Sequence, residues 1–399
     1  MQDYSRLQQL ISDDLAQVDP EAVASAAARC EQLPPPAAGY DALAAQCLFQ
    51  TAFAAEQLQQ FSAAEELYTK ALKYPASDPH ASANLHYHLG ICLEGQAKLE
   101  SAIRHFRIAV SEAVDWPVVR QLARFHTAHL LMLCGDYHTA AAEFSVLCEQ
   151  DPCAELSDLD LRLRRLTCVL RAGGGKPQLA DPVIGSMEQL PPAVTPGTVQ
   201  LVFDLALAAE DRSAYELSER LYRAVIASPN APPQFHANAW FRLGLVLDLR
   251  GHWSGTEDSY RRALRHPHAW PALQDLARFH LANFLMTVES FEEAADLFSE
   301  HAEKATSSVL PLTELRLREA ICRFRADDDK AAERILQSLR ETHGDSIPAV
   351  EQWMADIYES RKDYKSAAAC YQKLIQHPGS EVTLKAAALQ RLNTIHGLH

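Results

Sequence analysis

Apolar residues recur along the chain at spacings of three and four, the mark of helices that bury one face. Phe49, Tyr87, Phe125 and Leu163 are spaced by 38, as are Phe203, Phe241, Phe279 and Leu317. Three residues after each stands a mostly small side chain: Ala52, Gly90, Ala128 and Leu166, then Ala206, Gly244, Ala282 and Ala320. About twelve residues further lies a second small row, Ala64, Ala102, Ala140, Ser218, Thr256, Ala294, Ala332 and Ala367. Four residues on comes a bulky row, Tyr68, Phe106, Phe144, Tyr222, Tyr260, Phe298, Leu336 and Tyr371. Two helices per period follow, with small residues at their close approach and a large ring filling the gap to the next pair.

Turn signals separate the helices of each pair: Gly135-Asp136, Gly173-Gly174-Gly175, Gly251-His252 and Asp327-Asp328-Asp329. Pro75, Pro117, Pro152, Pro229, Pro267 and Pro378 fall between pairs, where proline ends helices. A longer repeat overlies the shorter. QLARFHTAHLLM at 121–132 matches DLARFHLANFLM at 275–286 in eight of twelve positions, an offset of 154 that also aligns LRLRRLTCVLRA (161–172) with LRLREAICRFRA (315–326). A register held without drift indicates tandem duplication. The expected organisation is a helical cap over 1–38, a four-hairpin block over 39–192, its duplicate over 193–346, and a final hairpin with a capping helix over 347–399. The fourth unit of the first block, 156–192, is degenerate, and its Gly- and Pro-rich stretch 172–198 reads as either a hinge or a plain loop.

The pattern resembles the tetratricopeptide repeat family. Trp240, Leu243, Gly244, Leu247, Gly251, Tyr260, Ala263 and Pro267 fall at or within one residue of that family's signature. Leu89, Gly90, Ala102, Phe106 and Ala109 form a second good unit, and Gly135, Tyr137, Ala140, Phe144 and Pro152 a third. The resemblance implies an all-α fold, a right-handed α-solenoid of about nine or ten hairpins. It also implies that the first helix of each hairpin lines a concave groove.

Net charge of −15 argues against a general nucleic-acid binder and against adhesion to an anionic membrane. No apolar stretch is long enough to span a bilayer, and the acidic start MQDYSRLQQLISDDL is unlike a signal peptide, so a cytoplasmic protein is expected. Nine cysteines without a CxxC pair fit reduced thiols, and Cys92, Cys168 and Cys322 recur at one packed position. GGGKP at 173–177 lacks the hydroxyl residue and preceding strand of a phosphate loop and reads as a turn. His88, His126 and His129 lie in neighbouring rows, but the duplicate carries Arg242, His280 and Asn283, so a zinc site is not expected. No catalytic constellation stands out, and neither an enzyme nor a cofactor is expected.

Candidate contacts therefore lie on the groove. Phe49, Tyr87, Phe125, Phe203, Phe241 and Phe279 would supply apolar contact. Beside them runs a row in which His88, His126, Arg164, Arg242, His280 and Arg318 carry or acquire positive charge, extended by Arg171 and Arg325. Repeated charge of the minority sign suits recognition of carboxylates. Glu56, Glu94, Glu210, Asp248 and Glu359 form an acidic line nearby. Asn84 and Asn238 sit in the groove, but the lysines of the family's carboxylate clamp are missing. The expected function is a non-catalytic scaffold or adaptor that binds an extended peptide or partner segment with acidic groups. A self-associating structural protein, or a regulatory sensor within a multiprotein complex, is the alternative. Partner binding is expected to vary between pH ~5.5 and ~7.5 if the groove histidines take part.

Overall fold

The computed structural model describes residues 2–16, 18–36, 41–75, 79–173, 194–304, 311–344 and 347–397. The GGGKP turn beyond Gly173 and most of the 172–198 stretch lie outside them. The described residues form twenty helices and no strand, divided between two compact units, Met1–Val183 and Ile184–His399.

The first unit holds α1 (Gln2–Asp14), α2 (Pro20–Cys30), α3 (Asp41–Gln57), α4 (Phe61–Ala71), α5 (Pro79–Gly95), α6 (Leu99–Glu112), α7 (Pro117–Leu133), α8 (Tyr137–Glu149) and α9 (Asp158–Arg171). The second holds α10 (Pro196–Asp211), α11 (Tyr215–Ala227), α12 (Pro233–Leu249), α13 (Trp253–Arg265), α14 (Pro271–Thr287), α15 (Phe291–Lys304), α16 (Leu312–Arg325), α17 (Asp329–His343), α18 (Pro348–Ser360), α19 (Tyr364–Gln376) and α20 (Val382–Gly397). Within each unit, every helix packs on the next, so successive antiparallel hairpins stack as an α-solenoid.

Both small rows are buried throughout, and Tyr68, Phe106, Phe144, Tyr222, Tyr260 and Phe298 are among the largest fully buried side chains. Gly90 shows why one position had to be small: a Cβ there would lie 2.6 Å from the ring of Phe106. Gly244 stands in the same relation to Tyr260, at 2.7 Å.

The turn inside each hairpin is more regular than its sequence. A single residue with positive φ follows each first helix: Gln59, Ala97, Gly135 and Gly173 in the first unit, Ser213, Gly251, Glu289, Asp327 and Lys362 in the second. The next amide closes the helix with a bond five residues back, as from Lys98 to Leu93 and from Asp136 to Leu131, each 2.9 Å. This satisfies a helix-end carbonyl with backbone alone. Several prolines also act differently from expectation. Pro117 does not merely end a hairpin; it opens α7 at its first turn, as Pro196, Pro271 and Pro348 open theirs. There its missing N–H costs no helical bond.

Candidate interaction site

The expected groove residues meet in one recurring arrangement at the joint between consecutive hairpins. Each joint holds an aromatic ring from a first helix, the bulky residue of the same hairpin's second helix, and a basic residue from the next hairpin. Phe49 lies 5.7 Å from Tyr68 and 5.4 Å from His88, centroid to centroid, while His88 stacks on Tyr68 at 5.9 Å. Tyr87, Phe106 and His126 repeat this, with His126 stacked on Phe106 at 5.0 Å. Phe241, Tyr260 and His280 repeat it in the second unit. Phe203 packs on Tyr222 and Phe235.

The aromatic row is thus a seal between hairpins. Phe203 and Phe241 are only 3% and 4% exposed, which corrects the expectation that they offer groove surface. Phe49, Tyr87, Phe125 and Phe279 are half-buried against the cores. The physical reason is area: a phenyl ring beside a neighbouring helix gains more by leaving water than by lining a wet groove.

The acidic line meets the basic row. The carboxylate of each hairpin reaches the base thirty-two residues on. His88 Nδ1 lies 3.0 Å from Glu56, His126 Nδ1 2.8 Å from Glu94, and Arg242 donates to Glu210 at 2.9 Å. Tyrosine hydroxyls join two of these pairs, Tyr68 donating to Glu56 at 2.9 Å and Tyr222 to Glu210 at 2.7 Å. Burial and the adjacent carboxylates push both phenols far above their ordinary pKa. Three of the six bases therefore meet a carboxylate of the preceding hairpin. The sequence carried both rows, but not the stacking offset that brings them together.

In the third hairpin of each block the acid gives way to Met132 and Met286. Arg164 lies over Phe125 at 5.4 Å and contacts His129 Nδ1 at 3.1 Å. Arg318 lies over Phe279 at 5.5 Å and donates to Asn283 at 2.8 Å and to Glu314. Burial, then Arg164, lowers the pKa of His129. Arg171 lies over the ring of Tyr137 and bonds its hydroxyl at 3.1 Å, while exposed Arg325 rims an open cleft of about 600 Å³ with Glu289, Glu292 and Asp296. His88, His126 and His129 turn their nitrogens to three different partners. Cys92, Cys168 and Cys322 are buried, and burial raises their thiol pKa.

One contrast follows directly. Tyr222→Phe removes a buried hydrogen bond to a charged carboxylate and is expected to cost about 1.5–3 kcal/mol. Tyr260 is fully buried, yet its hydroxyl has no hydrogen-bond partner. Tyr260→Phe is expected to be neutral or stabilising. Urea melts of the two variants check this, and equal losses would refute it.

Residues 49–117 and 351–380 match tetratricopeptide repeat family models. No curated protein matches the chain in sequence. Among solved structures it is similar to a tetratricopeptide repeat protein from Parabacteroides merdae ATCC 43184, with 10% identity, 79% of this chain and 99% of that one covered, and a TM-score of 0.35. It is also similar to the apo form of RapI, with 11% identity, 98% and 97% covered, and a TM-score of 0.41. The TPR domain of P58(IPK) aligns at 13% identity over 89% and 98%, with a TM-score of 0.29. Two stretches of the chain thus carry tetratricopeptide repeat sequence, and the described helices form stacked hairpins of that kind. Such stacks are protein-interaction scaffolds, generally without catalytic activity. Among the described residues no helix is long and apolar enough to cross a membrane.

Proposed function

We propose that the chain is a non-catalytic adaptor that binds a partner segment along the first helices of its hairpins, with acidic groups of that segment meeting Arg164 and Arg318. The observation that carries this reading is a geometry present twice at the duplication offset. A guanidinium lies over a phenyl ring at 5.4 and 5.5 Å and contacts a neutral side chain of the preceding hairpin's first helix at 3.1 and 2.8 Å, Arg318 also donating to Glu314 of its own helix at 2.8 Å. Stacking fixes the plane of the fork, so little side-chain entropy is lost when a carboxylate docks. His88, His126 and Arg242 hold carboxylates of the preceding hairpin and serve the joints first.

Arg164→Glu combined with Arg318→Glu is expected to reduce partner recovery in co-purification at least tenfold, about 1.4 kcal/mol, while the helical CD signal stays intact. Undiminished recovery of the same partner would remove the charge reading. Self-association, the second reading, predicts a mass that rises with concentration in light scattering.

A further inference from the structure

An open cleft of about 710 Å³ lies along α16 and α17 of the second unit. Volumes of this size accommodate small ligands or the side chains of a short segment. Its apolar strip is Leu312, Ile335 and Leu339, of which Leu312 is 57% exposed. Its charged lining is Arg316, Arg323, Arg334 and His343 against Glu319 and Asp328. At about 100° per residue, Arg316 and Arg323 project from α16 roughly opposite Arg318, so the cleft is separate from the groove row.

The repeat shows what is unusual here. In the three preceding hairpins the place of Glu319 is held by Leu205, Leu243 and Leu281, and that of Arg323 by Ala209, Leu247 and Leu285, all buried. Glu319 is 5% exposed and accepts a hydrogen bond from Arg316 at 2.7 Å. A buried ion pair is commonly no more stabilising than apolar side chains of similar volume. A stack that buries leucine at this place three times and a carboxylate the fourth time has exchanged apolar packing for a polar floor. Such departures from an otherwise consistent pattern are concentrated at functional sites.

The charges of the cleft are not all answered. Arg316 holds Glu319, Arg323 donates to Asp296 at 2.6 Å, and Asp328 accepts from the Ala331 amide at the start of α17. Arg334 uses only its Nε, which donates to the Lys330 carbonyl at 3.3 Å. Among the described residues its terminal nitrogens meet no acceptor. An exposed guanidinium therefore stands free beside an apolar strip, on a chain of net charge −15. Its complement is a carboxylate flanked by apolar side chains.

We propose that this cleft receives an acidic, leucine-rich segment of a partner protein, with one carboxylate on the terminal nitrogens of Arg334 and the neighbouring apolar side chains on Leu312 and Ile335. The planar fork of arginine meets both oxygens of a carboxylate at once. The Arg316–Glu319 pair keeps the floor polar where sister hairpins fill it with leucine. The proposal rests on the adaptor reading for the existence of a partner, but not on Arg164 or Arg318.

The test uses the full chain and the blocked peptide Ac-Leu-Glu-Leu-Glu-Leu-NH2, followed by saturation-transfer NMR. Saturable binding in the millimolar range or tighter is expected. The glutamine counterpart should bind at least tenfold more weakly, as should the counterpart with glycine for leucine. Arg334→Glu changes an exposed side chain and should weaken binding at least tenfold, while Arg334→Lys should keep part of it. Arg316→Met combined with Glu319→Leu should melt at or above the wild-type temperature and still weaken binding at least tenfold, which separates a binding floor from a merely structural ion pair. The Arg164→Glu, Arg318→Glu protein should bind the peptide as the wild type does. The proposal is overturned by equal binding of the glutamine peptide, by wild-type affinity in Arg334→Glu, or by no transfer up to about 10 mM. Loss of binding in Arg164→Glu, Arg318→Glu with wild-type affinity in Arg334→Glu would put the peptide in the groove, which overturns the cleft and leaves the adaptor reading standing.

Discussion

Phe106→Ala is expected to lower the stability of the first unit by about 3–5 kcal/mol, the range for truncating a fully buried phenylalanine. Phe106 is 0% exposed, lies against Tyr87 within its own hairpin, and carries His126 of the next hairpin at 5.0 Å. Its loss opens a cavity at a joint, so two hairpins lose contact together. Gly90 makes the sharper companion test. Alanine in a helix interior gains about 1 kcal/mol over glycine by propensity. A Cβ at Gly90 would stand 2.6 Å from the Phe106 ring, and overpacking of that kind costs about 1–3 kcal/mol. Gly90→Ala should therefore be a net loss of about 1 kcal/mol despite its better propensity. Adding Phe106→Leu should recover part of that loss, because the two changes share one volume. Urea melts followed by CD give all four corners of the cycle. A Gly90→Ala protein more stable than wild type would show that the joint is not closely packed there.

The rows that fix this joint were legible because close packing constrains side-chain size at every repeat. Ala52, Gly90, Ala128 and Ala206 had to be small, and Tyr68, Phe106 and Tyr222 had to be large, whatever the partner. The hairpin turns were only partly legible. Gly135 and Gly251 announce a left-handed residue, but Gln59, Ala97, Ser213, Glu289 and Lys362 adopt the same conformation. The backbone bond that closes each helix outweighs the modest cost of that conformation for a non-glycine residue. Charge was least legible. Glu94 and His126 sit in separate rows of the sequence, and only the stacking of one hairpin on the next makes them a pair. The difference between Glu210, which holds Tyr222 and Arg242, and Asp248, which holds neither counterpart, is a single methylene that no pattern of hydrophobic and polar positions can weigh.

Acidification is expected to destabilise the protein well before any carboxylate of ordinary pKa is protonated. Burial lowers the pKa of His86, His105, His129, His266, His280 and His301. Neighbouring cations add to this, Arg164 at His129 and Arg242 at His280. His86 and His105 share a 2.9 Å contact between Nδ1 atoms, which requires one ring to accept and so to stay neutral. In each case the unfolded chain binds a proton more readily than the folded one. Stability is then complete above the unfolded value near 6.5 and falls as pH drops from there toward the depressed folded values. Asp248 and Asp356, whose pKa burial raises, act in the opposite sense, but they are two groups against six and start from the lower carboxylate range. The melting temperature should decline between pH ~7.5 and ~5.5 by several degrees, at about 2–4 °C per kcal/mol. His301 tests the cause most directly. It is 1% exposed, neither ring nitrogen has a hydrogen-bond partner, and it lies near the buried Asp275–Arg278 pair. Leu147 holds the corresponding place in the first unit, also buried. His301→Leu should therefore fold, melt at or above the wild-type temperature at pH 7.5, and show a shallower decline toward pH 5.5. An unchanged slope would mean that His301 is reached by water in the folded state and that the other five carry the effect. A flat profile in the wild type would mean that the joints open enough to let every one of these rings titrate in place.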